Sequence, residues 1–143
     1  MTARLIIGYG NSLLGDDAAG SAVASRFTGR TGFTTIIVPE LLPELAEVIA
    51  AAAVVIFVDA SQTAERVECT RLNQCGTRSL GHSSDPGYLL GLAEALYNAR
   101  PPAWLIAVPA SDFRAGAGLS QRTAALIPEA ARMTEALCTN FPS

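Results

Sequence analysis

The sequence predicts an α/β fold: a single three-layer domain over residues 1–143, with a mostly parallel twisted sheet of about five strands and helices on both faces. Three observations predict it. Apolar runs without polar alternation, at Arg4–Tyr9 and Val54–Val58, read as strands buried on both sides, as in a parallel sheet. Segments of helical period stand between such runs, and strands alternating with helices make a parallel sheet with crossover helices. Half of the 143 residues are hydrophobic and 16% are charged, a core-rich composition. A chain of that length buries roughly 68–70% of its unfolded surface without a disulfide or metal staple.

In chain order, the first strand is Arg4–Tyr9, broken by Gly8, Gly10 and Asn11. A helix is expected from Asp17 to about Arg30, with Ala19, Val23 and Phe27 on one face and Asp16 or Asp17 as its N-cap. The second strand is Thr34–Val38. A second helix is expected from Pro43 to Ala52, with proline in its first turn and Leu45, Val48 and Ala52 facing the core. Val54–Val58 follows, ending at Asp59. Val67–Leu72 alternates in polarity and reads as an edge strand. Gly76–Gly87 is a polar loop closing in Ser84-Asp85-Pro86, an N-cap with proline at the first helical position. The next helix would bury Leu89, Leu92 and Leu96, and Pro101-Pro102 ends that region. Trp104–Val108 is the last strand. Ser120 opens a final helix carrying Leu126, Ala130, Met133 and Leu137 on one face, in which Pro128 predicts a kink or a split near Ile127.

Composition excludes several functions. The net charge is −3, and the ten basic residues, all arginine, are scattered, so no nucleic-acid footprint is present. The longest uncharged apolar stretch, around Val48–Val58, is too short to span a bilayer. The start, MTARLIIGYGN, reads as a buried strand and not as a signal peptide, so a cytoplasmic protein is expected. Cys69, Cys75 and Cys138 have no metal-site or disulfide-framework spacing and read as free thiols.

Chemistry in such sheets belongs beyond the carboxyl ends of the strands. The loop Gly8-Tyr9-Gly10-Asn11-Ser12-Leu13 lacks the third glycine of a dinucleotide fingerprint, and the acids after it would repel a pyrophosphate. Gly8 and Gly10 instead suit a tight turn and close backbone approach, and Asn11 suits side-chain hydrogen bonds to the loop. Of the paired acids Asp16 and Asp17, helix capping explains one. The other is open to reading as a metal ligand or catalytic acid. Asp59 stands at the mouth of a central strand, where a charge is costly unless paired or bound to a cation. A capped turn with Ala60 and Ser61 is the plainer alternative. His82, the one histidine, lies in a loop before a helix, where it is either an exposed loop residue or a third ligand. Two carboxylates and an imidazole suit a first-row divalent metal with open positions. One histidine excludes an HExxH site, and no G-x-S-x-G elbow supports a serine triad.

GYGNSLLGDDAAG, VVIFVDA, PELLPELAEVI, His82 with SSDPGYLLGLAEAL, and WLIAVPASDFRAGAGLSQRTAALIPEA resemble, in the same order, the motifs of the hydrogenase maturation proteases. The resemblance covers nearly the whole chain. It implies an endopeptidase that removes the C-terminal extension of a nickel–iron hydrogenase large-subunit precursor after nickel insertion. It also implies that Asp17, Asp59 and His82 are the catalytic, nickel-contacting positions, with Asp17 standing where some members carry Glu. The nickel would be the substrate's, with no permanently bound cofactor. The expected partner is the hydrogenase large-subunit precursor, with no nucleic acid and no membrane, and a monomeric state is expected. Two departures stand out: Pro39-Glu40-Leu41-Leu42 replaces a glycine-rich turn, as in the branch serving soluble hydrogenases, and Ala18 replaces a glycine. The alternatives are a non-catalytic relative that only binds the precursor, and a peptidyl-tRNA hydrolase-like hydrolase. The second would need a proline after Asn11 and an early histidine, both missing here.

Overall fold

The computed structural model describes residues 3–72 and 85–141. Five strands form one sheet: β1 (Arg4–Tyr9), β2 (Phe33–Val38), β3 (Val54–Ser61), β4 (Glu68–Arg71) and β5 (Ala103–Pro109). Their order is β2-β1-β3-β5-β4, with every pair parallel except β4 against β5. The α/β expectation of about five mostly parallel strands therefore holds, and β4 is the expected edge strand, exposed along its length.

The continuous apolar runs divide by strand periodicity into two cores. Ile6 of β1 and Val54, Ile56 and Val58 of β3 face α1 (Ala19–Ala24) and α4 (Gln121–Cys138). Leu5, Ile7 and Tyr9, with Val55 and Phe57, face α2 (Leu45–Ala50) and α3 (Pro86–Tyr97). A strand buried on both faces cannot alternate in polarity, which is why β1 and β3 read as unbroken hydrophobic runs.

Several helical expectations are corrected. The segment after β1 is three pieces: a 3-10 turn at Gly15–Ala18, then α1, then a 3-10 turn at Ser25–Phe27. Neither Asp16 nor Asp17 caps it. The N-cap position is Leu14, without a side-chain cap, because both carboxylates are engaged elsewhere. α2 starts two residues after Pro43, behind tight turns at Leu42 and Pro43. It buries Ala46 and Ile49, with Leu45, Val48 and Ala52 only flanking the core. In α3 the buried stripe is Leu89, Leu90 and Ala93, and Leu96 is 62% exposed. Asp85 caps α3 as expected, accepting from the Gly87 amide at 2.7 Å, with Pro86 in the first turn.

α4 runs unbroken through Pro128. Proline removes one helical hydrogen bond at a local cost of about 3 kcal/mol. Ile127, Ala130, Ala131 and Cys138 are buried in the core around it, and burial of apolar side chains at roughly 25 cal/mol per Å² outweighs that local cost.

α1 approaches the sheet closely enough to touch its backbone. A Cβ at Gly8 would collide with the Gly20 carbonyl, and one at Gly20 would collide with the carbonyls of Val58 and Tyr9. This glycine pair lets α1 sit directly over β1 and β3, and so fixes the turn that carries Asp17. Among the described residues no helix is long and apolar enough to cross a membrane. Cys69 and Cys138 are free thiols, one exposed and one buried.

Candidate active site

The chain leaves β1 toward one face, into α1, and after β3 and β4 reaches α3 on the other face. Beyond the carboxyl ends of β1 and β3 the connections therefore diverge and leave a crevice, the usual ligand position in an open parallel sheet. An open cleft of about 620 Å³ lies there. Asp17, Asp59, Tyr9 and Gly10 line it, together with Glu40 after β2 and Asp85 at the start of α3.

Asp17 is half-buried, and its Oδ2 accepts the Asn11 amide at 2.6 Å. Gly10 has φ +139, and its missing side chain leaves space beside the Asp17 carboxylate, whose Oδ1 lies 3.3 Å from where a Cβ would be. Asn11 holds the loop as anticipated, its Oδ1 accepting the Leu13 amide at 2.9 Å. Asp59 follows the buried Val54–Val58 segment of β3. Its Oδ1 accepts the Ala60 amide at 2.8 Å, and the Tyr9 hydroxyl also donates to its carboxylate. Burial pushes the Asp59 carboxyl up to about 6. The Ala60 amide and Tyr9 hydroxyl oppose that shift by stabilising the charged form, while the nearby Asp17 charge reinforces it. The Tyr9 phenol is raised well above its usual range, first by burial and then by the charge of Asp59.

The neighbouring acid has a different task. Asp16 is fully buried. Its Oδ1 accepts the Ser120 amide at 2.6 Å, and its Oδ2 accepts the Ser111 amide at 2.9 Å, the Asp112 amide at 3.0 Å and the Ser120 hydroxyl at 2.8 Å. Ser120 in turn caps α4 through the Thr123 amide at 3.2 Å. Burial alone would raise the Asp16 carboxyl, but these donors outweigh it and hold it well below the usual carboxylate range. Asp16 is thus a latch between the first turn and the β5–α4 connection. Asp17 is the member of the pair that faces the cleft.

Of the three site residues expected from the sequence, Asp17 and Asp59 line the same cleft, and His82 lies outside the described residues. Among the described residues no three acidic, histidine or cysteine side chains form a group able to hold a metal ion. Sequence reasoning passed over Tyr9, Glu40 and Asp85 as cleft residues. Tyr9 and Glu40 both sit at or just past the carboxyl end of a strand, and applying that rule to every strand would have found them. The cleft carries four carboxylates and no basic side chain among its described lining residues, so it attracts cations.

No protein-family profile and no curated protein matches the chain. Solved structures do. The hydrogenase maturating endopeptidase HybD from E. coli superposes with a TM-score of 0.72 at 20% identity, covering 99% of this chain and 98% of that one. The [NiFe] hydrogenase maturation protease HybD from Thermococcus kodakarensis gives 0.71 at 21%, covering 95% and 99%. The [NiFe] hydrogenase maturation protease HycI from Thermococcus kodakarensis KOD1 gives 0.67 at 21%, covering 96% and 91%. The chain therefore has the fold of these maturation proteases over almost its whole length.

Proposed function

We propose that this chain is a hydrogenase maturation endopeptidase, which removes the C-terminal extension of a nickel–iron hydrogenase large-subunit precursor once nickel is in place. The observation that carries the reading is the meeting of Asp17 and Asp59 in one acidic cleft beyond β1 and β3, on a fold shared with proteins of that name. The order of the sequence motifs supports it. In this reading the nickel belongs to the substrate, and Asp17, Asp59 and His82 contact it.

The physical logic runs through charge. Burial and then the repulsive charge of Asp17 raise the proton affinity of Asp59, as suits a site that lacks a cation. A divalent metal arriving with the precursor relieves that repulsion and anchors the tail in the cleft. Anchoring brings the scissile bond close to an attacking water, and the metal is also able to polarise its carbonyl. An empty precursor would bring no cation and would not be held.

The test is a processing assay with purified precursor, with and without nickel. Shortening of the nickel-loaded form alone is expected. Asp17→Asn and Asp59→Asn should abolish shortening while the circular dichroism spectrum stays native, and His82→Ala tests the third position. Cleavage of both precursor forms would remove the nickel-sensing role. Binding without cleavage under reducing conditions would leave a precursor-binding protein in place of a protease.

A further inference from the structure

At the opposite end of the sheet lies a second cavity, of about 360 Å³, between the 3-10 turn Ser25–Phe27, the loop before β2, and the second half of α4. Three arginines line it: Arg26, Arg30 and Arg132. Glu135 is the one acid in its lining, and a fourth guanidinium, Arg4, is near enough to act on that carboxylate. Three of the chain's ten basic residues thus line one cavity with a single carboxylate, in a protein of net charge −3. We propose that this cavity is a binding site for a dianionic oxyanion of the phosphate class.

The arginines fall into two kinds. Arg30 is fixed: its Nη2 donates to Glu135 Oε2 at 2.8 Å, and its guanidinium lies 5.1 Å from the centre of the Phe27 ring and 4.8 Å from that of Phe33. Such cation–π contacts and the ion pair hold the group in one orientation before any ligand arrives. Arg26 and Arg132 are exposed and have no hydrogen bond or ion pair among the described residues. Arg132 shares a helix face with Pro128 and Glu135, four and three residues away in the i, i+4, i+7 pattern, so α4 aims it at the cavity.

Charge selects the ligand. Three guanidiniums against one carboxylate leave two unbalanced positive charges in the cavity lining. A dianion matches that, and the forks of Arg26 and Arg132, which Glu135 does not occupy, suit the oxygens of a tetrahedral oxyanion. The volume falls within the usual range for small-molecule sites, roughly 300–1,000 Å³. Phe27, Ala131 and Pro128 supply its apolar walls. The cleft of Asp17 and Asp59 lies at the far end of β1, about 16–20 Å away. The proposal is therefore independent of the protease reading.

The experiment is calorimetric titration of the full chain with inorganic phosphate at constant ionic strength, with chloride as the reference anion. Saturable one-to-one binding is expected, weakened about tenfold or more for each of Arg26→Gln and Arg132→Gln, since each removes a charge-assisted hydrogen bond. Both side chains are exposed and unpartnered among the described residues, so both variants should melt like the parent. Arg66→Gln, outside the cavity, should bind normally. A second arm titrates an oligoglutamate peptide. Peptide binding that displaces phosphate at equal or higher affinity would overturn the phosphate assignment in favour of a partner's carboxylates, and phosphate binding that the peptide leaves unchanged supports a free or esterified phosphate. No saturable heat, or equal affinity in the Arg26 and Arg132 variants, would overturn the proposal.

Discussion

Asp16→Asn separates the two acids of the Gly15–Ala18 turn. The native carboxylate accepts four hydrogen bonds, three from the amides of Ser111, Asp112 and Ser120 and one from the Ser120 hydroxyl. An asparagine carbonyl offers two lone pairs, and its amino group would face donors in place of an acceptor. About two part-buried donors are left unsatisfied, at roughly 1–3 kcal/mol each, so a loss of about 2–6 kcal/mol is expected. Single domains have only about 5–15 kcal/mol in total. With a urea slope of about 1–3 kcal/mol/M, the midpoint should fall by about 0.7 M or more. Acid gives an internal check. The folded Asp16 carboxyl lies below its unfolded value, so its contribution is present above about pH 4 and is lost as pH falls through the folded value. The gap between parent and variant should therefore be widest near neutrality and narrow below about pH 4. Asp17→Asn should cost at most about 1.5 kcal/mol, because Asp17 is half-buried and accepts one amide, that of Asn11. Urea midpoints for Asp16→Asn and Asp17→Asn that agree within about 0.3 M would refute the division of roles.

Two further outcomes follow from the same geometry. Asp59→Asn should stabilise the protein at alkaline pH. The folded pKa of about 6 lies above the ordinary value, so the residue's contribution is complete below about pH 4 and is lost as pH rises through 6. Ionised Asp59 then costs about 2–3 kcal/mol, and thermal melts should show the variant several degrees more stable at pH 8 and equal to the parent near pH 4. Gly20→Ala should destabilise by roughly 1–3 kcal/mol, because the new methyl meets the Tyr9 and Val58 backbone and lifts α1 off the sheet. An unchanged melting temperature would show that the helix can shift without loss.

The parts of the fold that were legible in sequence are those where one physical rule acted alone. β1 and β3 announced themselves because burial on both faces leaves no position for a polar residue, and Asp85-Pro86 marked the start of α3 because cap and proline agree. Boundaries failed where tertiary contacts overrode local signals. Asp16 has the right chemistry for an N-cap, but the amides it serves are 95 to 104 residues away. No local pattern encodes a partner at that separation. Pro128 is a sound local argument for a break in α4, overruled by the residues buried around it. Leu96 keeps the period of α3, three residues after buried Ala93, yet is 62% exposed, so periodicity overstated its burial.

The candidate site divides along the same line. Asp59 could be read from position, since a carboxylate ending an apolar central strand has few structural uses. Local chemistry could not tell Asp17 from Asp16, because as residues the two differ only in direction, and it was the resemblance of the motif that pointed to Asp17. Direction is set by the α1–sheet contact: with Gly8 and Gly20 allowing α1 to sit on the backbone, the turn before it is held so that one acid points into the β5–α4 loop and the next into the cleft. The latch and the cleft are therefore mechanically joined. Loosening Asp16 frees the turn that also carries Asp17, so under the proposed function Asp16→Asn should weaken processing through misplacement. Its signature is distinct from loss of a ligand. Asp16→Asn activity should recover with stabilising cosolvent or lower temperature, which restore the turn, whereas Asp17→Asn activity should not, because the carboxylate itself is gone.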